Sequence, residues 1–223
     1  MVHTIAYIHT SHVLIPLFTG LSRQELPEVE SFHMVDESLI KNTIRSQSLT
    51  KTTTRRVLAM VQSAHDGGAD AVMVTCSSIG AAASEASRLF DFPVIRVDDA
   101  MAEQAVRAGR RIGVAATLRT TLEPTVALLH EKAKAAGRPV DITQALANGA
   151  FEAVLAGDTV THDRLLTESL IQLANTVDVI VLAQASMARV VAQLPADPKR
   201  VPILSSPELA VKRARTILFP GSI

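Results

Sequence analysis

The residue best suited to chemistry in this 223-residue chain is its only cysteine, Cys76. It ends an apolar run that starts after Asp70, and Ser77, Ser78 and Gly80 follow it closely. A thiol between a strand and a helix lies near the positive end of the helix dipole, which favours the thiolate. The same place also suits a small buried hydrophobe, as many free cysteines are. Position alone therefore leaves a catalytic role and a packing role open.

Residues that offer a polar side chain or a free backbone N–H stand at the ends of three further predicted strands. They are Thr10 and Ser11 after the first strand, Thr117 and Thr121 after a central strand, and Gln184, Ala185 and Ser186 after a late one. Hydroxyls and free backbone N–H groups at strand ends and helix starts suit a small anion such as a carboxylate. We therefore predict that these residues, with Ser77 and Ser78, bind the substrate.

Three histidines lie near the same predicted strand ends or helix starts. His9 and His12 have a spacing that could hold a metal, but no third ligand stands in a recognisable motif, so we predict no metal site. A proton shuttle or a polar wall fits them better, because histidine titrates near neutrality. His162 precedes Asp163 at a helix start, where it either caps the helix or takes part in the site.

The elements that must position these residues alternate between strand and helix along the whole chain. Apolar residues make up 48% of the chain but aromatic residues only 3%, which indicates an aliphatic core of the kind found in parallel sheets covered by helices. This alternation predicts an α/β protein with doubly wound parallel sheets, flavodoxin-like in arrangement.

An internal repeat organises the elements into two similar lobes. The strand after Asp70 overlays the strand after Asp178, and neighbouring segments match at about the same offset of 108 residues. We expect residues 1–97 with 206–223 to form the first lobe, carrying Cys76, and residues 98–205 to form the second. Cys76 overlays Gln184 in this repeat. Two such lobes would most simply turn their ligand-facing strand ends towards one cleft.

The motifs resemble those of the aspartate/glutamate/hydantoin racemase superfamily over essentially the whole chain. The resemblance rests on four segments: Val74-Thr75-Cys76-Ser77-Ser78-Ile79-Gly80, Val114-Ala115-Ala116-Thr117, Val181-Leu182-Ala183-Gln184-Ala185-Ser186-Met187-Ala188 and Ser205-Ser206-Pro207-Glu208. It implies a cofactor-independent enzyme that acts at the carbon next to a carboxylate. Members use two cysteines, one per lobe, as acid and base on opposite faces of that carbon.

The chain departs from the family pattern at the second cysteine. Cys76 matches the first thiol, but Gln184 stands where the second is expected, and an amide has no proton to exchange at neutral pH. We expect Cys76 to act as acid, base or nucleophile and Gln184 to orient or polarise the substrate. The alternatives are a single-thiol decarboxylase, a cis–trans isomerase, or a reaction in which a histidine or water returns the proton.

Composition excludes several other classes. The formal net charge is zero and no basic stripe is present, so we predict no nucleic-acid partner. No glycine-rich phosphate loop appears, and no apolar stretch is long enough to span a bilayer. The first residues do not resemble a signal peptide, so we expect a cytoplasmic homodimer or higher homo-oligomer without cofactor. A two-lobed sensor that binds a carboxylate without converting it remains an alternative from another class.

Overall fold

The computed structural model describes residues 2–191, 194 and 201–221. The first half contains β1 (Thr4–His9), α1 (Ile15–Glu25), β2 (Glu30–Val35), α2 (Glu37–Ser46), α3 (Lys51–Asp66), β3 (Ala71–Val74), α4 (Gly80–Leu89), β4 (Val94–Arg96) and α5 (Asp99–Ala108). The second half contains β5 (Arg111–Ala116), α6 (Arg119–Ala135), β6 (Asp141–Leu146), α7 (Ala150–Leu155), α8 (Thr159–Ala174), β7 (Val179–Leu182), α9 (Ala188–Val191), β8 (Ile203–Leu204) and α10 (Ser206–Leu218).

The strands form two parallel four-stranded sheets with the same order. The first sheet runs β2-β1-β3-β4 and the second β6-β5-β7-β8. The register is also equivalent, since Ile5 pairs with Ala71 and Ile112 with Val179. The predicted α/β fold with two similar parallel lobes is therefore confirmed.

The chain divides into two compact units. The division falls between Asp99 and Ala100 and again between Ser206 and Pro207. Unit 1 holds the first sheet and nearly all of α10, and unit 2 holds the second sheet with most of α5. None of the described helices is long and apolar enough to cross a membrane.

The sheet of unit 1 is covered on both faces, as alternation along β1 shows. Ile5 and Tyr7 pack in one cluster with Val211 of α10, whereas Ala6 and Ile8 pack in another with residues of α3. Successive side chains of a strand point to opposite faces, so a strand buried on both faces reads as a continuous apolar run. This burial explains the continuous apolar run from Ile5 to Ile8 in β1 and the wholly apolar β3.

Unit 2 repeats this arrangement with a close approach between β5 and α8. A Cβ atom added to Gly113 in β5 would lie 2.7 Å from the side chain of Leu173 in α8, so the missing side chain makes room for the helix. Because each helix runs back antiparallel to its strand, the strands end and the next helices begin at one edge of each sheet. The candidate residues stand at these edges.

Candidate active site

Cys76 follows β3 and precedes a single 3₁₀ turn, Ser77–Ile79, which leads directly into α4. The Thr10 hydroxyl, the Ser78 hydroxyl and the backbone N–H groups of Ser78 and Ile79 surround its sulfur as donors that lower the pKa of the thiol. The Ile79 N–H also donates to the backbone carbonyl of Cys76 over 3.2 Å. Thr10 comes from the neighbouring strand end after β1 and is 4% exposed. Two sequence-predicted residues, Thr10 and Ser78, are thus brought together around the thiol.

The balance of these surroundings keeps the thiol protonated. Burial raises the pKa of Cys76 above its ordinary value, and the hydrogen bonds from Thr10, Ser78 and Ile79 lower it by less. The residue keeps some solvent exposure, yet dense packing around the sulfur disfavours the thiolate. The sequence pointed to the helix start as the main influence on this pKa; the structure gives burial the larger effect. Cys76 is therefore a protonated thiol in its resting state.

Gln184 holds the equivalent place in unit 2. It follows β7 and precedes the 3₁₀ turn Ala185–Met187. The backbone N–H and the hydroxyl of Thr117 donate to Gln184 Oε1 over 2.7 and 3.0 Å. Because a backbone N–H can only donate, the acceptor must be the amide oxygen, and the Nε2 hydrogens remain to donate elsewhere. The threonine after the first strand of each unit thus contacts the residue after its third strand.

The start of α6 carries a hydroxyl without a partner. Thr120 is 8% exposed, and its Oγ1 is the one buried side-chain N or O atom in the described part of the chain that has no hydrogen-bond partner. Leu118, which precedes α6, provides no side-chain cap. The first N–H groups of a helix have no partner within the helix, so a bound oxygen ligand can satisfy both features. Thr121 lies beside them in the first turn and is also buried.

His9 is fully buried in a directed chain of hydrogen bonds. Its Nδ1 lies 2.8 Å from Thr75 Oγ1, its Nε2 lies 2.9 Å from His33 Nδ1, and His33 Nε2 lies 3.0 Å from Thr19 Oγ1. The Thr75 hydroxyl donates to the carbonyl of Ile8, so it accepts from His9 Nδ1–H. A neutral His9 then accepts at Nε2 from His33 Nδ1–H, and a neutral His33 accepts at Nε2 from the Thr19 hydroxyl. Burial lowers the pKa of His9 to about 4, with a smaller effect from His33.

The histidine candidates at the end of β1 form hydrogen bonds with partners other than Cys76. His12 is exposed, and its Nδ1 lies 2.7 Å from Glu37 Oε1, whereas both ring nitrogens of His9 are taken up inside unit 1. Ser11 only precedes a short 3₁₀ turn and makes no side-chain cap. In the described ranges no group of three or more His, Cys, Asp or Glu side chains is placed to hold a metal.

Comparison with known proteins identifies the family. The family model for Asp/Glu/Hydantoin racemase matches residues 10–214, which is most of the chain. The chain belongs to this racemase family. The match includes the segments that carry Cys76, Thr117 and Gln184. A search of curated protein sequences found no match.

Solved racemases share the fold of this family member. Glutamate racemase from Francisella tularensis in complex with D-glutamate matches with a TM-score of 0.74, 15% identity, and coverage of 98% of this chain and 81% of that one. Aspartate racemase from Picrophilus torridus matches with a TM-score of 0.72 and 11% identity, and the match covers 96% of this chain and 93% of that one. Allantoin racemase from Klebsiella pneumoniae matches with a TM-score of 0.71 and 18% identity, with coverage of 97% of this chain and 87% of that one. At these identities the likeness shows the fold alone.

Sequence reasoning missed several polar residues near the racemase-family motifs. His33 stands between the apolar residues Phe32 and Met34 of β2 and is half-buried. Arg96 and Asp98 form a buried ion pair, with Arg96 Nε 2.7 Å from Asp98 Oδ1. A Cβ atom on Gly80 would lie 2.5 Å from Arg96 Nε, so this glycine makes room for the guanidinium at the start of α4. No sequence motif predicted the ion pair between Arg96 and Asp98.

Proposed function

We propose that this chain is a cofactor-independent isomerase that moves a proton at a carbon next to a carboxylate or related carbonyl, with Cys76 as a proton-transferring group. The observation that supports the proposal best is the set of four donors around the Cys76 sulfur. These donors stabilise a thiolate when it forms, while burial favours the thiol at rest. A sulfur in this setting can give a proton to a carbanion and take one back.

Substrate anchoring follows from the open donors of unit 2. The unpartnered Thr120 hydroxyl and the uncapped start of α6 suit a carboxylate group, because helix N-termini carry partial positive charge. Thr121 belongs to the same turn. We assign the carboxylate to this place.

Gln184 serves as a hydrogen-bond donor in this proposal. Its oxygen is occupied by Thr117, so its Nε2 hydrogens are the atoms that can meet a substrate oxygen. Such a donor stabilises negative charge that spreads onto a carboxylate or carbonyl oxygen as the carbanion forms. The side chain stabilises charge without exchanging a proton.

The experiment measures proton exchange at the reacting carbon in deuterium oxide. The probes are each enantiomer of aspartate and glutamate, together with allantoin, because solved relatives are named as racemases of these compounds. We expect deuterium incorporation with inversion for at least one probe. We expect Cys76→Ala to lower the racemisation rate by about 100-fold or more, because a general acid or base usually accelerates a reaction by at least that factor. Ser87→Ala, an exposed change on α4, is the matched control and keeps the wild-type rate.

Other outcomes would contradict the proposal in different ways. A wild-type rate in Cys76→Ala would show that the thiol transfers no proton and only packs against its neighbours. Binding of a probe without exchange would favour a non-catalytic sensor. Loss of carbon dioxide from a substituted malonate, without exchange of the other probes, would favour the single-thiol decarboxylase.

A further inference from the structure

The 3₁₀ turn that follows Cys76 supplies three of the four donors around its sulfur. They are the hydroxyl and the backbone N–H of Ser78 and the backbone N–H of Ile79. These donors stabilise a thiolate only while the turn keeps its position beside the sulfur. We propose that Arg96, held by Asp98, is a positioning residue that keeps this turn in place around Cys76. The inference rests on the function proposed above, since it concerns the group that transfers the proton.

Arg96 is fixed by a buried ion pair. Its side chain is 7% exposed, and that of Asp98 is fully buried. Arg96 Nε lies 2.7 Å from Asp98 Oδ1, and Nη2 lies 3.1 Å from Oδ2, so both carboxylate oxygens are engaged. Two parallel hydrogen bonds between a planar guanidinium and a carboxylate fix the orientation of both groups. The guanidinium therefore cannot move aside without breaking a buried pair, which is costly.

The fixed guanidinium lies against Gly80, the first residue of α4. A Cβ atom added to Gly80 would lie 2.5 Å from Arg96 Nε, 2.7 Å from Cζ and 2.9 Å from Nη2. The φ of Gly80 is −59°, which any residue adopts, so the glycine provides space and not a special backbone conformation. Its backbone N–H donates to the carbonyl of Ser77 and closes the turn. The guanidinium thus borders the residue that ends the turn after Cys76.

Arg96 reaches the turn from the neighbouring strand. It ends β4 and pairs in register with Val74 of β3, two residues before Cys76. Its Nη1 lies 3.4 Å from Ser84 Oγ in the second turn of α4. The influences on the pKa of Cys76 are burial and hydrogen bonds, so Arg96 acts on the thiol through the position of the turn.

The internal repeat supports this assignment, because unit 2 replaces both members of the contact. The pairing of the first and third strands of each sheet gives an offset that puts Ala188, at the start of α9, in the place of Gly80. The register of the last strand of each sheet puts Ser205 in the place of Arg96. A residue with a Cβ atom therefore stands where the side chain facing it is short. The glycine and the guanidinium occur together in the unit that carries the thiol.

An exposed ion pair would not hold a turn in this way, because water and side-chain motion weaken it. In unit 2, Arg189 pairs with Asp163, but their side chains are 47% and 20% exposed. Asp163 also lies 2.8 Å from Nδ1 of His162, in the first turn of α8. Burial of both partners makes the pair of Arg96 and Asp98 the more rigid support.

Gly80→Ala tests the contact, because its Cβ atom presses against a guanidinium that is held in place. We expect the turn to move away from the sulfur, which raises the pKa of Cys76 further. Alkylation by iodoacetamide at pH 8 should then be about tenfold slower than in the wild type, which corresponds to one pKa unit. Ala81→Ser adds one heavy atom at the next, exposed position of α4 and should keep the wild-type rate.

A double-mutant cycle attributes the effect to Arg96. Arg96→Ser with Asp98→Asn removes the guanidinium without leaving an unpaired buried charge. This double variant should alkylate severalfold more slowly than the wild type, because the turn has lost its support. Addition of Gly80→Ala should then change the rate by less than about twofold, since the obstacle is gone. Rates across the pH range separate a shift of the pKa from a change in access to the sulfur.

Unfolding does not mimic the expected result, because it exposes the thiol and makes alkylation faster. A wild-type pH profile or faster alkylation in Gly80→Ala would overturn the inference, and so would an equal effect of Gly80→Ala in both backgrounds. If circular dichroism shows the double variant to be unfolded, Arg96→Lys takes its place, since lysine keeps a charge for Asp98 but lacks the planar fork. A wild-type profile in folded Arg96→Lys would overturn the inference too.

Alkylation needs no substrate, so the outcome is separate from that of the proposed function. Where the wild type exchanges a probe, Gly80→Ala should also lower the exchange rate, and Ala81→Ser should not. A wild-type protein that exchanges no probe would overturn the proposed function, while the alkylation profiles would still decide whether Arg96 holds the turn.

Discussion

At the scale of single residues, the two units differ at the position that decides their chemistry. In unit 1 a threonine hydroxyl donates to a sulfur, and in unit 2 the equivalent threonine donates to an amide oxygen. The pair Thr10 and Cys76 therefore keeps a titratable atom at its centre, whereas the pair Thr117 and Gln184 keeps only donors and acceptors. The equivalent position thus holds a titratable thiol in unit 1 and, in unit 2, an amide that only donates and accepts hydrogen bonds.

The role of Thr10 leads to a prediction about thiol reactivity. Thr10→Val keeps the shape of the side chain but removes a hydroxyl that stabilises the Cys76 thiolate, so the pKa of Cys76 should rise further. Alkylation of the variant by iodoacetamide at pH 8 should then be severalfold slower than that of the wild type, because the thiolate is the reacting species. The single cysteine makes the label unambiguous.

Thr52→Val, an exposed change on α3, provides the matched control for this measurement and should leave the alkylation rate unchanged. Equal or faster alkylation of Thr10→Val across the pH range would show that the hydroxyl does not stabilise the thiolate.

At the scale of elements, the hydrogen-bonded chain through His9 joins β2, β1 and β3 of unit 1 to α1. Both imidazoles are neutral in this chain, because burial lowers the pKa values of His9 and His33. The unfolded chain therefore binds protons more readily than the folded one. The resulting stability is present above the ordinary histidine value of 6.5 and is lost as the pH falls towards about 4.

This linkage predicts a measurable loss of stability on mild acidification. Between pH 7.5 and 5.0 the shift of His9 alone should lower the free energy of unfolding by about 2 kcal/mol, with His33 adding in the same direction. Urea unfolding at the two pH values measures this difference. His9→Phe should show a clearly smaller difference, whatever its absolute stability. An unchanged pH dependence in that variant would refute the assignment.

Much of the element pattern was readable in the sequence, but the starts of α3 and α6 were not. Thr50 caps α3, which begins at Lys51, about one turn before the apolar face that reveals it. α6 likewise begins at Arg119 and contains Pro124, a residue that usually marks the start of a helix rather than its interior. This shift puts Thr120 and Thr121 within the helix start. Apolar periodicity detects a buried face, whereas a polar first turn leaves no such signal.

The site was readable in part for a related reason. Position after a strand pointed to Cys76 and Gln184, because the ends of parallel strands are where ligands meet a sheet. Partnerships across elements, such as His33 with His9 or Arg189 with Asp163, depend on packing that spacing does not encode. The sequence therefore named the strand-end residues and missed the pairing of His9 with His33 and of Asp163 with Arg189.

At the scale of the whole molecule, the order of the elements along the chain differs from their division into units. The final helix, α10, comes after the sheet of unit 2 in the sequence but belongs almost wholly to unit 1. α10 follows β8 of unit 2, yet Ala210, Val211 and Ala214 pack into the core of unit 1 against Ile5 and Tyr7. The final helix is therefore part of the structure that supports the strand carrying His9 and Thr10. Its removal from that face would expose the apolar side of β1.

A change in α10 should consequently destabilise unit 1, and the chain offers its own reporter of that unit. Tyr7 is the only tyrosine, no tryptophan is present, and the ring is fully buried beside α10. Val211→Asp places a charge in this apolar cluster and should lower the free energy of unfolding by about 3 kcal/mol or more. The transition followed by the near-ultraviolet signal of Tyr7 should therefore move to lower urea concentration.

Lys212→Asp, at the exposed neighbouring position, introduces the same charge outside the cluster and should shift that transition much less. Equal shifts in the two variants would mean that the helix does not support the core of unit 1.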